Sequence, residues 1–266
     1  MNAASPSLVA DYQDESGLAA EIQTMRVDLA AAYRLIHRLG LDDSIYTHIS
    51  ARLPGGGHRF LINPYGMRFE EVTPENLVTV DIDGRVIEDP MGLGINPAGF
   101  TIHSAIHAAR HDAVCVLHTH TVAGVAVSCQ EEGLLPLNQW SMQFAGRLAY
   151  HAYEGIALDL DERQRLVADL GDKPVMVLRN HGLLTCGRTV GEAFRLMHNM
   201  ERSCRAQLAI QAAGAPVIRP SAAVATKTAG QYAAGYDRVV QGAPDNEWAA
   251  FKRMLARTDP DFFAQG

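Results

Sequence analysis

From about Leu18 to Leu39, apolar residues recur at three- and four-residue steps: Ile22, Met25, Leu29, Tyr33 and Ile36. That stripe predicts an amphipathic helix, with Gly40 as its C-terminal stop. The period then shortens. IYTHISARL, RFLINP and NLVTVDIDGRVIE read as strands, the last alternating Val78, Val80 and Ile82 before an Asp83-Gly84 hairpin turn. Thr73-Pro74-Glu75 reads as an N-cap with proline opening a short helical turn.

A helical pattern returns in GFTIHSAIHAAR, with Ile102, Ile106 and Ala109 on one face. AVCVLHTHT predicts a strand and VAGVAVSCQ a helix. Residues 161–170 predict another helix, capped by Asp161. PVMVLRNHGLLTCG reads as a buried strand pair broken at Asn180-His181-Gly182. Further helices are expected over roughly 190–213 and 245–257. Residues 1–17, small and polar, read as an N-terminal tail, which leaves 18–266 as one domain without repeats or a low-complexity linker. The expected class is α/β with a mostly antiparallel central sheet.

Composition removes some function classes. The formal net charge is −7 and no basic cluster offsets it, which argues against binding nucleic acid through its phosphates. No segment approaches eighteen uninterrupted apolar residues, so no membrane span is expected. The N-terminus lacks the basic and apolar regions of a signal peptide, so a cytoplasmic protein is expected. Cys115, Cys129, Cys186 and Cys204 are widely spaced and are expected to be free, buried thiols.

Candidate chemistry lies in the histidines, of which there are eleven. His37, His58, His111 and His198 have nothing convergent around them in the sequence. His103 and His107, four apart on a predicted helix, share a face and read as core or interface hydrogen-bonders. His118 and His120 close a strand, where residues two apart project to one side. Two imidazoles buried together need a use for their lone pairs, and a divalent cation is the common one. On spacing alone the doublet remains open between a metal pair and coincidence. His181, followed by glycine between two apolar runs, is the third candidate. Three neutral histidines would make a catalytic-type site with an open position.

The ordered motifs FLINPYG, EEVTPENLVTVDIDG, AVCVLHTHT and RNHGLLTCG resemble those of the class II aldolase/adducin family, over about residues 22–215. The resemblance implies a three-layer α/β/α fold and a homo-oligomer, often a tetramer with active sites at subunit interfaces. It implies that His118, His120 and His181 are the metal ligands, with Zn2+ expected and Fe2+, Mn2+ or Co2+ as alternatives. The chain departs from the family in two places. Gly99, in INPAGFTIH, stands where the enzymes carry a glutamate acid/base. In DSIYTHISAR, Tyr46, Thr47 and His48 replace the small residues of a phosphate-binding loop. Asn63-Pro64-Tyr65-Gly66 and Asn96-Pro97-Ala98 are altered as well.

The expected function is a metal-dependent, aldolase-like lyase acting on a small non-phosphorylated molecule, a hydroxy-carbonyl or 2-oxo acid, with the metal stabilising an enolate. His48, Tyr46 and Glu154 are the candidates to replace the missing glutamate, in that order. Tyr232 and Tyr236 lie where some members place a tyrosine that reaches a neighbouring subunit. Two alternatives stand beside this reading: a non-haem iron oxygenase or decarboxylase, and a non-catalytic adducin-like binding module.

Overall fold

The order of apolar runs builds one eight-stranded sheet. In a computed structural model, which describes residues 7–56, 58–155 and 162–259, the strands are β1 (His48–Arg52), β2 (Arg59–Ile62), β3 (Val78–Asp81), β4 (Val86–Glu88), β5 (Cys115–Thr119), β6 (Leu148–His151), β7 (Val175–Leu178) and β8 (Gly182–Gly187). Their spatial order is β4-β3-β2-β1-β5-β8-β7-β6. Every neighbouring pair is antiparallel except β6 and β7, so the mostly antiparallel α/β sheet is observed.

Alternation along the central strands sends side chains into two cores. Cys115 and Leu117 of β5, Val175 and Val177 of β7, and Leu183 of β8 join one cluster with residues of α1 (Ser7–Arg38), α3 (Val122–Ser128), α6 (Val190–Ala213) and α8 (Asn246–Thr258). Val116, Met176, Leu178, Leu184 and Cys186 face the opposite way, onto Ile102 and Ile106 of α2 (Pro97–Ala109) and Leu166 and Leu170 of α5 (Glu162–Leu170). A sheet buried on both faces needs this period-two pattern, and three layers result.

Several expectations shift. The first helix begins at Ser7 rather than near Leu18. Thr73-Pro74-Glu75 opens no helix; it forms a turn in which the Thr73 N–H donates to the side chain of Asn76. Asp161, the expected cap of α5, lies outside the described residues. Four described elements were not anticipated: a short 3-10 helix over Phe69–Glu71, α4 (Gln139–Met142), β6 and α7 (Ala222–Val240). Cys129 is exposed, whereas the other three thiols are free and buried as expected.

Candidate metal centre

Strand β5 delivers His118, but it ends at Thr119, so His120 lies just past the strand rather than within it. What holds His120 is the turn into α3. Thr121 caps that helix by accepting the Gly124 N–H, and its hydroxyl donates to the buried carboxylate of Glu201 on α6. Arg205 braces the other oxygen of Glu201 at 2.6 Å. His181 comes from the β7–β8 turn, closed by its own N–H donating to the Leu178 carbonyl at 3.1 Å. Asn180 takes the left-handed conformation there, with φ 56°, which asparagine tolerates better than most residues. A Cβ on Gly182 would strike the Thr119 carbonyl oxygen, so glycine lets β8 begin flush against β5.

The three imidazoles converge through their Nε2 atoms. His118 Nε2 lies 2.8 Å from His120 Nε2, which lies 2.9 Å from His181 Nε2. The opposite nitrogens set two of the tautomers. His118 Nδ1–H donates to the Leu183 carbonyl at 2.9 Å, and His120 Nδ1–H donates to the Asp43 carboxylate at 2.9 Å. Both Nε2 atoms therefore present lone pairs to the same point. Burial, reinforced by the neighbouring rings, holds His118 well below its ordinary pKa and His181 at about 4. Such a neutral, convergent donor set fits a divalent ion. The nitrogens stand somewhat closer than the ~3.3 Å edges that Zn–N bonds of about 2.0–2.1 Å imply for a tetrahedron. Asp43 escaped the sequence reading, since nothing in spacing ties it to a histidine 77 residues away.

His48 pairs with His118 across β1 and β5. Its ring occupies the space beside Gly99: a Cβ at position 99 would fall within 2.5 Å of both ring nitrogens. The imidazole thus fills the volume that any side chain at 99 would need. It is only 4% exposed, and neither ring nitrogen has a partner among the described residues. Burial, then the proximity of the His120 imidazole, lowers its pKa to about 4.

His48, Gly99, Tyr46 and Tyr153 line a cavity of about 330 Å³ together with the three histidines. Tyr46 lines it from an exposed position, and the Tyr153 ring lies 6.2 Å from that of His181. Glu154 is not among the lining residues, unlike the expectation for a catalytic carboxylate. Arg165 Nε grips both of its oxygens at 2.9 and 3.0 Å and holds its carboxyl below the usual range. Tyr153, its neighbour, faces the cavity and was missed. Tyr232 and Tyr236 border a different cleft of about 610 Å³ with Arg195 and Asn199. That cleft is larger, but among the described residues only the histidine cluster assembles a metal-binding set.

Comparison with known proteins bears on the fold and the family. A Pseudomonas syringae structure described as an aldolase II superfamily protein superposes with a TM-score of 0.84 at 53% identity, covering 91% of this chain and 96% of its own. An L-fuculose 1-phosphate aldolase from Glaciozyma antarctica superposes with a TM-score of 0.78 at 29% identity, covering 90% and 93%. Rat alpha-adducin is 44% identical over 195 residues, covering 72% of this chain but 26% of adducin. The family model for the class II aldolase and adducin N-terminal domain matches residues 27–208, and the chain belongs to that family.

Proposed function

We propose that the chain is a metal-dependent lyase that makes or breaks a carbon–carbon bond next to a carbonyl, on a non-phosphorylated hydroxy-carbonyl or 2-oxo acid. The observation that carries this reading is the meeting of three Nε2 atoms beside a cavity in which His48 fills the place left by Gly99. A divalent ion held by His118, His120 and His181, with zinc as the proposed resident, supplies Lewis acidity that polarises a carbonyl and favours its enolate.

The residues of the chain do the rest. His48 accepts the proton of the substrate hydroxyl as the carbon–carbon bond breaks; the bonding pair becomes the enolate, and the same proton returns to the enolate carbon. No oxidant or reductant is needed. Tyr46 and Tyr153 offer phenolic edges to a carboxylate or hydroxyl. Thr47 and His48 in place of small residues, with Asn63 occupied by the Tyr33 hydroxyl and the Pro64 carbonyl, speak for a substrate without a phosphate. We propose a homotetramer in the cytoplasm as its working form.

Likeness to alpha-adducin supports a second reading, a binding module without turnover. One experiment separates the two. Protein purified without chelator is expected to carry about one equivalent of divalent metal per chain and to exchange the methyl protons of pyruvate with D2O, followed by proton NMR. Less than about half an equivalent of any such metal would sink the lyase reading. Full metal without exchange would favour the binding module.

A further inference from the structure

Beneath His48, a line of polar groups is buried between β1 and α2. His107 Nδ1 lies 3.0 Å from the Ala113 carbonyl, His107 Nε2 lies 2.8 Å from Ser50 Oγ, and Ser50 Oγ lies 2.6 Å from His103 Nδ1. His103, His107 and Ser50 are all essentially inaccessible to solvent. Burial keeps both imidazoles neutral, with His107 lowered to about 3 and His103 well below its ordinary value.

The direction of every hydrogen in this line follows from its end. A carbonyl oxygen can only accept, so His107 carries its proton on Nδ1 and leaves Nε2 bare. The Ser50 hydroxyl has one hydrogen, and it must go to that bare nitrogen. Ser50 Oγ then accepts from His103, which places the single proton of His103 on Nδ1. His103 Nε2 ends the line as an unprotonated acceptor, and it has no partner among the described residues. The ring set edge-on against His103, at 5.9 Å between centroids, is His48, whose two nitrogens are also unpartnered. Buried polar groups without partners are costly, so a donor and an acceptor on adjoining rings are a mutual solution.

We infer that His103 is a positioning residue for the proposed base. The two rings are unbonded as they stand; a small rotation of His48 would let its one N–H donate to the bare His103 Nε2 and would leave the other His48 nitrogen as a lone pair for the cavity. Ser50 and His107 fix that polarity from behind. Where a catalytic histidine is commonly oriented by a carboxylate, here a neutral histidine does so, its own tautomer set by a backbone carbonyl. The role assigned to His103 rests on the lyase reading with His48 as the base; the tautomer of His103 does not.

The test uses zinc-loaded, full-length protein with 15N-labelled histidine. Long-range nitrogen–proton correlation, with His103 assigned by its loss in His103→Gln, is expected to show one tautomer, Nδ1–H with a bare Nε2. Ser50→Ala should mix the tautomers and Ser50→Thr should keep the single one. In pyruvate exchange, Ser50→Ala should lower kcat about 10- to 100-fold with zinc content and KM little changed, and Ser50→Thr should recover most of it. In a His48→Ala background the same substitution should cost nothing further, because its effect passes through His48. An Nε2–H tautomer in the wild-type protein would overturn the inference, as would an unchanged exchange rate in Ser50→Ala. Zinc-loaded wild type that exchanges no pyruvate, while His103 shows the expected tautomer, would instead sink the lyase reading and leave the hydrogen-bond line standing.

Discussion

At the scale of single residues, the site turns on two neighbours, His48 and Gly99. His48 and Gly99 occupy one volume between them, so their identities are coupled. Gly99→Ala should destabilise the protein by about 1–3 kcal/mol, since the new methyl would press on the imidazole. His48→Ala should absorb most of that cost; denaturant melts of the two single variants and the double would show a coupling above about 1 kcal/mol, and plain additivity would contradict the shared volume. Asp43 acts through His120. Its carboxylate holds the Nδ1–H and makes the opposite nitrogen a better ligand. Asp43→Asn is expected to weaken zinc binding about 10- to 100-fold in competition with a chelator, with the circular dichroism unchanged. The candidate ligands His118, His120 and His181 were within reach of the sequence because they sit in ordered motifs, whereas Asp43, Tyr153 and Ser50 were not. These three meet the site only through folding, from strands and loops whose separation in sequence carries no period.

The elements differ in how openly their residues declare them. Helix α6 (Val190–Ala213) and hairpin β3–β4 were readable because a helical apolar period marks the first, and alternation with an Asp-Gly turn marks the second. Strand β6 was not, since LAYH is too short to display a period and takes its place by pairing in parallel with β7. Helix α7 is rich in alanine and exposed along much of its length, so its apolar stripe is narrow and made partly of small residues that are easily overlooked in sequence. Only three of its residues, Ala225, Ala229 and Tyr236, are buried. At the edge where β8 meets β5, the contact is backbone against backbone. Gly182→Ala should push the strands apart at Thr119, lower stability by more than about 1 kcal/mol and reduce zinc occupancy, because His118 and His181 flank that point. Full stability together with full occupancy would show that the approach is less tight than drawn.

Across the whole molecule, several histidines are kept neutral by burial: His48 and His198 near 4, His107 near 3. In the unfolded chain they titrate near 6.5. As pH falls below 6.5, the unfolded state takes up protons that the folded state refuses, so stability must fall with pH. Metal-free protein should therefore show a steadily lower urea midpoint from pH 6.5 towards 4 and little change from these groups above pH 7.5. A midpoint constant between pH 7 and 5 would contradict the burial of these rings. The placement of the ligands also has a consequence in time. His120 and His181 are 61 residues apart, and their nitrogens meet only after β5 and β8 are in register. An ion bound there comes late to folding and holds the finished product. Zinc should leave the refolding rate almost unchanged while it slows unfolding, so that the ion acts as a latch on a door already shut.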